Sequence, residues 1–124
     1  MTQKPDTTMS QTRDVLKLFG MWKIDQKEQI NLLGLPTHTK PRTLNRYKTE
    51  ALPDDNETQE RISAFISIHH ALLHAFPHNE SLANYWITTE SDMFYGKRPL
   101  DVMLNSGLDG IRYVLGHLTQ GDQW

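Results

Sequence analysis

Four histidines lie within ten residues of this chain, and their spacing is the first sign of possible chemistry. His70 and His74 are four residues apart, so a helix would place both imidazoles on one face, as metal-binding pairs are placed. His69 and His78 flank the pair, but Pro77 interrupts the helix before His78 and no nearby carboxylate completes an HExxH pattern. We therefore interpret these histidines as surface or partly buried helix residues, and we expect no metal site and no cofactor.

The chain also lacks the residues of other catalytic sites. It has no cysteine, which excludes thiol nucleophiles, thiolate zinc sites and disulfides. No nucleophile elbow, P-loop, GxGxxG or kinase-like motif occurs. The acidic pairs Asp54/Asp55 and Glu57/Glu60 fall at a predicted helix start, where negative charge complements the backbone dipole. We expect no enzymatic activity.

A second group of residues has the chemistry of nucleic-acid binding. Arginine pairs with guanine edges and asparagine with adenine edges, while lysine and threonine contact the DNA backbone. All of these types occur between residues 39 and 46, where a helix would direct roughly half of them to one side. The predicted DNA-binding residues are Thr39, Lys40, Arg42, Thr43, Asn45 and Arg46.

Short helices must position this group. Ser10 is the predicted N-cap of a first helix, which Gly20 ends. Asp25 is the predicted N-cap of a second helix, and Glu28, three residues later, completes a capping-box pattern. Gly34 ends this second helix.

A third helix carries the predicted DNA-binding residues. Pro36 and Pro41 prevent the second helix from continuing, because proline lacks a backbone donor and disfavours helical geometry just before it. Thr37 or Thr39 is its predicted N-cap, and Pro41 lies in its first turn. Two short helices joined by a tight turn are typical of a helix-turn-helix, whose second helix lies in a DNA major groove. The residues expected to point inward are Leu44 and Tyr47.

The second half is predicted to be helical as well. Residues 51–56 form a turn-rich connector, and residues 57–76 form the longest helix, with a broad apolar stripe. Because this stripe is wider than a small monomer core needs, we expect the helix to form a homodimer, although flanking helices could cover all of it. Residues 88–97 are predicted to form a loop or an irregular turn. No strand pattern is present, so the predicted fold is all-α.

Three further helices follow the longest one. Asn79 is the predicted N-cap of a short helix that reaches Trp86. Pro99 opens another helix after the loop, and Gly107 interrupts it before a final helix over residues 109–118.

Charge is distributed unevenly. Residues 1–50 carry nine lysines and arginines against five acids, and residues 51–124 carry four against ten. A basic half beside an acidic half suggests that only one end contacts a polyanion. No secretory signal and no membrane-spanning apolar run occur, so we expect a cytoplasmic protein.

The C-terminal part combines three sequence features, which are Trp86-Ile87, Phe94-Tyr95-Gly96-Lys97-Arg98-Pro99-Leu100 and the segment from Gly107 through Leu115. These features closely resemble the toxin-binding domain of the Xre/MbcA/ParS antitoxins. Those proteins place a Trp-Leu pair, a Phe-x-Gly-x-x-Pro-Leu turn and a glycine-bounded final helix in the same order and at the same spacing. Their usual upstream part is an Xre-like helix-turn-helix, which residues 10–50 resemble.

The loop departs from the family pattern at two places. Glu90-Ser91 stands where many members have Pro-Asn, and Tyr95 stands where they have Gly. We interpret this loop as shaped for its own toxin.

The resemblance implies an antitoxin of a type II toxin-antitoxin system. Its partner would be a RES-type toxin, similar to ADP-ribosyltransferases, that depletes NAD. The antitoxin would cover the toxin's active site and repress its own operon as a homodimer bound to operator DNA. The toxin-binding residues expected on this basis are Trp86, Phe94, Tyr95, Lys97, Arg98 and Trp124.

The predicted organisation has four parts. Residues 1–9 form a flexible leader and residues 10–50 the Xre-like helix-turn-helix domain. Residues 51–85 hold the connector and the dimerisation helix, and residues 86–124 form the small helical toxin-binding domain.

Three alternatives remain open from the sequence. The chain could be a stand-alone helix-turn-helix transcriptional regulator without a toxin. It could be a metal-dependent enzyme built on His70, His74 and His78. Finally, its N-terminal half could serve only dimerisation.

Overall fold

Helices account for nearly all regular structure in the chain. The computed structural model describes residues 5–120, and within them the only strand-like pairing is an isolated bridge between Ser91 and Lys97. The all-α prediction is confirmed. The elements are α1 (Pro5–Met21), α2 (Gln26–Leu32), a 3₁₀ helix (Pro41–Lys48), α3 (Asn56–Ala75), α4 (Glu80–Trp86), a short 3₁₀ turn (Asp92–Phe94) and α5 (Pro99–Gln120).

Helix α1 is longer than predicted at both ends. It begins at Pro5, so the expected N-cap at Ser10 is wrong and residues 5–9 of the predicted leader are helical. Proline suits a first helical position because the donor that it lacks would have no partner there. Gly20 does not end the helix, which continues to Met21. The chain turns instead at Lys23, whose φ is +60°.

Local capping positions α2 as predicted. The Asp25 side chain accepts a hydrogen bond from the Glu28 backbone N–H at 2.8 Å, and the Glu28 carboxylate accepts one from the Asp25 N–H at 3.3 Å. This reciprocal pair satisfies two donors that the first turn leaves open. Asn79 likewise caps α4, where its side chain accepts from the Leu82 N–H at 3.0 Å.

The third helix differs from its prediction in form and in capping. Pro41–Lys48 is a 3₁₀ helix, and its N-cap is Lys40, which makes no side-chain capping bond, so the expected threonine cap is wrong. Pro41 does occupy the first turn, and Leu44 and Tyr47 are buried as predicted.

Helix α3 lies at the centre of the fold and packs against α1, α4 and α5. Its Phe65 is fully buried and meets the ring of Phe19 edge to face, with centroids 5.0 Å apart. The apolar stripe of the predicted dimerisation helix is therefore largely covered within the chain, and its partly buried members are Ile66, Leu73 and Phe76. The fully exposed positions of α3 are mostly polar.

A buried arginine of α3 connects the two halves of the chain. Arg61 donates from Nη1 to the Leu32 carbonyl at 2.9 Å and from Nη2 to the Glu57 carboxylate at 2.8 Å. Gly34 has a φ of +75°, and a Cβ there would lie 2.8 Å from Arg61 Nε. A Cβ on Gly107 would lie 3.7 Å from Arg61 Nη2. The guanidinium thus fills the space beside Gly34, whereas a Cβ on Gly107 would meet it only at an ordinary van der Waals distance.

Helix α5 bends where the sequence predicts a break. Gly107 has φ +60° and ψ −139°, a combination outside the helical region, and it divides α5 into two helices. The two pack closely at Gly110, where a Cβ would collide with the Val102 carbonyl oxygen. The first of them also packs on α2, where the Asn31 side-chain amide donates to the Leu104 carbonyl at 3.4 Å.

We predict that Gly34→Ala lowers the free energy of unfolding by about 1 to 3 kcal/mol, because a left-handed backbone and a crowded Cβ both disfavour alanine there. The matched control is Gly20→Ala, which lies within α1 with no atom within 4 Å of the added Cβ. That variant should gain about 0.5 to 1 kcal/mol. Urea denaturation of both variants measures the difference, and equal effects would contradict it.

Candidate functional site

Four aromatic side chains pack together where α4, the 91–97 turn and α5 meet. Phe94 is the centre and is 1% exposed. Trp86 and Tyr113 each place their rings 6.0 Å from it, at angles of 77° and 62°, and His117 lies 5.2 Å away. Such edge-to-face and tilted pairs are favourable arrangements of aromatic rings. This aromatic cluster holds the turn against the two helices.

Large apolar side chains reach solvent in the same region. Leu82, Tyr85, Tyr95 and Tyr113 are the exposed large hydrophobic residues among the side chains described in the structure. Leu82 and Trp86 are four residues apart on α4, so they share a helix face. We call Leu82, Tyr85, Trp86, Tyr95 and Tyr113 the aromatic surface. A concentration of exposed apolar and aromatic residues in one part of a chain is typical of a protein-binding site.

The 91–97 turn is held by a dense set of backbone hydrogen bonds. Ser91 N–H donates to the Lys97 carbonyl at 3.1 Å, and Gly96 N–H donates to the Ser91 carbonyl at 2.9 Å. Lys97 N–H donates to the Phe94 carbonyl at 3.1 Å, which closes the tip around Tyr95 and Gly96. The predicted loop is therefore a rigid turn that presents Tyr95, whose side chain is 90% exposed.

An ion pair positions the start of α5 behind this turn. Asp101 accepts from the Arg98 backbone N–H at 3.2 Å and from its guanidinium at 3.0 and 2.7 Å. The hydrogen bonds from Arg98 lower the pKa of Asp101 below its usual value. The contribution of this pair to stability is thus present at neutral pH and is lost as the pH falls through that lowered pKa.

The structure places the predicted toxin-binding residues differently. Tyr95 and Lys97 are exposed and Trp86 is half-buried. Phe94 is buried and supports the turn, and Arg98 is engaged with Asp101. The remaining predicted residue, Trp124, lies outside the described residues.

Sequence reasoning missed three members of the aromatic surface, namely Leu82, Tyr85 and Tyr113. Helical periodicity could have identified Tyr113, because it lies off the face of α5 that carries the buried residues Ile111 and Val114.

The 3₁₀ helix forms a separate cationic surface. With three residues per turn, positions three apart align in columns. Leu44 and Tyr47 form the inward column, so the other two columns face outward. The first outward column holds Arg42, Asn45 and Lys48, and the second holds Lys40, Thr43 and Arg46.

The predicted DNA-binding residues all lie at or beside this surface. Lys40, Arg42, Asn45 and Arg46 are exposed, and Thr39 and Thr43 are half-buried. Lys48 belongs with them although the sequence analysis omitted it, and its spacing of three from Asn45 was the available signal. These cations make no ion pair within residues 9–119, whereas Arg61, Arg98 and Arg112 of the second half each do.

The histidine group lies elsewhere, around α3. His69 is half-buried in a cleft of about 390 Å³ that Asp14, Lys17 and Glu80 also line. Burial, and then the charge of the neighbouring His70, lower the pKa of His69. Among the side chains of residues 9–119, no three histidine or acidic groups are arranged to hold a metal ion. No helix in that range is both long and apolar enough to span a bilayer.

The C-terminal part of the chain is similar to a known domain family. Residues 71–121 match the family model described as the antitoxin Xre/MbcA/ParS C-terminal toxin-binding domain. The match begins inside α3, upstream of the predicted domain boundary at residue 86, and it contains the whole aromatic surface. Comparison with curated proteins gave no match. The family match supports the antitoxin family and implies a toxin as the partner.

We predict that Phe94→Ala lowers the free energy of unfolding by about 3 to 5 kcal/mol, because it empties the centre of the aromatic cluster. Tyr85→Ala removes a half-exposed ring outside that cluster and should change stability by no more than about 0.5 kcal/mol. Thermal unfolding followed by circular dichroism compares the two. A small effect of Phe94→Ala would show that the cluster does not hold the turn.

Proposed function

We propose that this chain is the antitoxin of a type II toxin-antitoxin system, acting in the cytoplasm against a RES-type toxin that depletes NAD. Residues 71–121 bind the toxin through the aromatic surface and cover its active site. The observation that carries this proposal is the location of the exposed apolar residues. The exposed large hydrophobic residues of the described chain lie inside the one segment that matches a toxin-binding domain.

The chemistry of this surface suits a stable protein interface. Aromatic side chains seated in desolvated pockets supply most of the binding energy in such interfaces. The buried ring of Phe94 fixes the positions of Trp86 and Tyr113, so little ordering is needed on binding. Preorganisation of this kind favours slow dissociation, which an inhibitor of a toxic enzyme requires.

Electrostatics support an enzyme that binds an anionic nucleotide. Glu80, Glu90 and Asp92 are exposed near the aromatic surface. Arg98 and Arg112 of the same half are paired with Asp101 and Glu60, so they offset little of this negative charge. The exposed Lys97 offsets one of the three acids, and the balance of these side chains stays negative. A cleft that binds NAD presents cations for its phosphates, and an acidic inhibitor complements it.

We predict that this chain co-purifies with the product of the neighbouring gene. The NAD content of cells should fall when that neighbour is expressed alone and recover when this chain is co-expressed. Absence of a complex together with steady NAD would contradict the antitoxin proposal and favour a stand-alone regulator.

A pair of variants tests the surface itself. Leu82→Asp places a charge on the exposed face of α4, near its start, where the helix dipole tolerates an acid. It should weaken the complex by about tenfold or more. Ser63→Asp introduces the same charge on the exposed face of α3, outside residues 71–121, and should leave the complex intact.

The 3₁₀ helix supplies the second part of the proposed function, which is repression of the chain's own operon by DNA binding as a homodimer. Its two outward columns present cations with no acidic partner in the described chain, together with the exposed Asn45, a residue type whose side-chain amide pairs with adenine. Because the apolar stripe of α3 is largely covered within the chain, the proposed dimer forms through the partly buried end of this stripe near Leu73 and Phe76 or through another surface.

We predict that Arg46→Ala weakens binding to the DNA upstream of the operon by about 1 to 3 kcal/mol, because Arg46 reads a base from the outward face. Lys17→Ala, which removes an exposed cation of α1, is the matched control and should change affinity little. Fluorescence anisotropy with operator and scrambled DNA measures both. Equal losses of DNA affinity for the two variants would indicate non-specific charge attraction. If the wild-type chain binds no DNA at all, the alternative that the N-terminal half serves only dimerisation is favoured.

A further inference from the structure

The tip of the 91–97 turn carries a residue that its backbone disfavours. Tyr95 has φ +60° and ψ +39°, and the following Gly96 has φ +84°. With the hydrogen bond from Lys97 N–H to the Phe94 carbonyl, two central residues of positive φ are characteristic of a type I′ turn. Glycine, asparagine and aspartate favour these positions, whereas the Cβ of a tyrosine crowds the following carbonyl oxygen.

No contact of the Tyr95 side chain with the described residues offsets this backbone strain. The Tyr95 side chain is 90% exposed and makes no hydrogen bond or ring contact within the described residues. The turn is instead held by the backbone bonds of Ser91 and by the buried ring of Phe94. A strained residue that contributes no contact to its own fold is typical of a position selected for contact with something else.

We propose that Tyr95 is the anchor of the complex, a rigid ring that enters an apolar-walled pocket on the toxin with a polar group at its base for the phenol. This inference rests on the proposed function, because the occupant of the surface is the toxin. Tyrosine suits such a role, since it offers a large contact area and loses little conformational freedom when bound. The turn adds to this by fixing the backbone before binding.

The proposal predicts that Tyr95→Asn raises the stability of the free antitoxin and lowers its affinity for the toxin. Asparagine tolerates the left-handed backbone, so the free antitoxin should become more stable, with a rise in Tm of about 2 to 4 °C. Loss of the ring should nevertheless weaken the complex with the neighbouring gene product about thirtyfold or more. A purely structural residue would lose stability and binding together.

Two controls separate strain from anchoring. Lys23 is the other non-glycine residue of positive φ in the described chain, with φ +60°, and it lies outside the segment that matches the toxin-binding family. Lys23→Asn should raise Tm to a similar extent and leave the affinity unchanged. Tyr95→Phe keeps both the ring and the strain, so its Tm should stay the same and its loss of affinity should be smaller than that of Tyr95→Asn.

The experiment compares the full-length chain and these variants by thermal unfolding and by calorimetric titration with the purified neighbouring gene product. Wild-type affinity in Tyr95→Asn would overturn this inference alone, as would a loss of affinity accompanied by a lower Tm. If the wild-type chain itself fails to bind the neighbour, the proposed function falls and this inference falls with it.

Discussion

The buried guanidinium of Arg61 is the constraint on which the arrangement of the chain depends. Removing a charged group from water is costly unless its donors are paired, and here the Leu32 carbonyl and the Glu57 carboxylate accept them. The same group occupies the space beside Gly34, which follows α2, and lies near Gly107 at the bend of α5. One side chain of α3 thus fixes the end of α2 against the central helix and packs beside the bend of α5.

This arrangement makes the two predicted functional halves share one core. Helix α3 packs on α1 and on α5, and α2 packs directly on α5. The apolar stripe of α3 predicts a dimer when only the sequence is considered. In the structure, these neighbouring helices cover most of it. The surfaces that remain differ in chemistry. The 3₁₀ helix presents cations and an asparagine, whereas α4, the 91–97 turn and α5 present aromatic rings among exposed acids.

The candidate binding surface combines a packed support with a strained tip. Phe94 is buried and packs against Trp86 and Tyr113. Tyr95, its neighbour in sequence, projects outward from a left-handed backbone conformation that disfavours tyrosine. When a residue adopts a conformation that its type disfavours and gains no stabilising contact in the fold, a functional role is the expected reason. Under the proposed anchoring role, stability and partner binding are opposed at Tyr95, and the backbone hydrogen bonds of the turn hold this residue in its unfavourable conformation.

Features that depend on near neighbours are predictable from the amino-acid sequence alone. The capping box of Asp25 and Glu28, the cap at Asn79 and the break at Gly107 follow from short-range hydrogen bonding and backbone freedom. Other features depend on residues that are distant in the chain. The 3₁₀ form of residues 41–48, the burial of Phe94 beneath an exposed Tyr113 and the internal use of the α3 stripe all arise from packing between segments far apart in the chain, which no local pattern encodes.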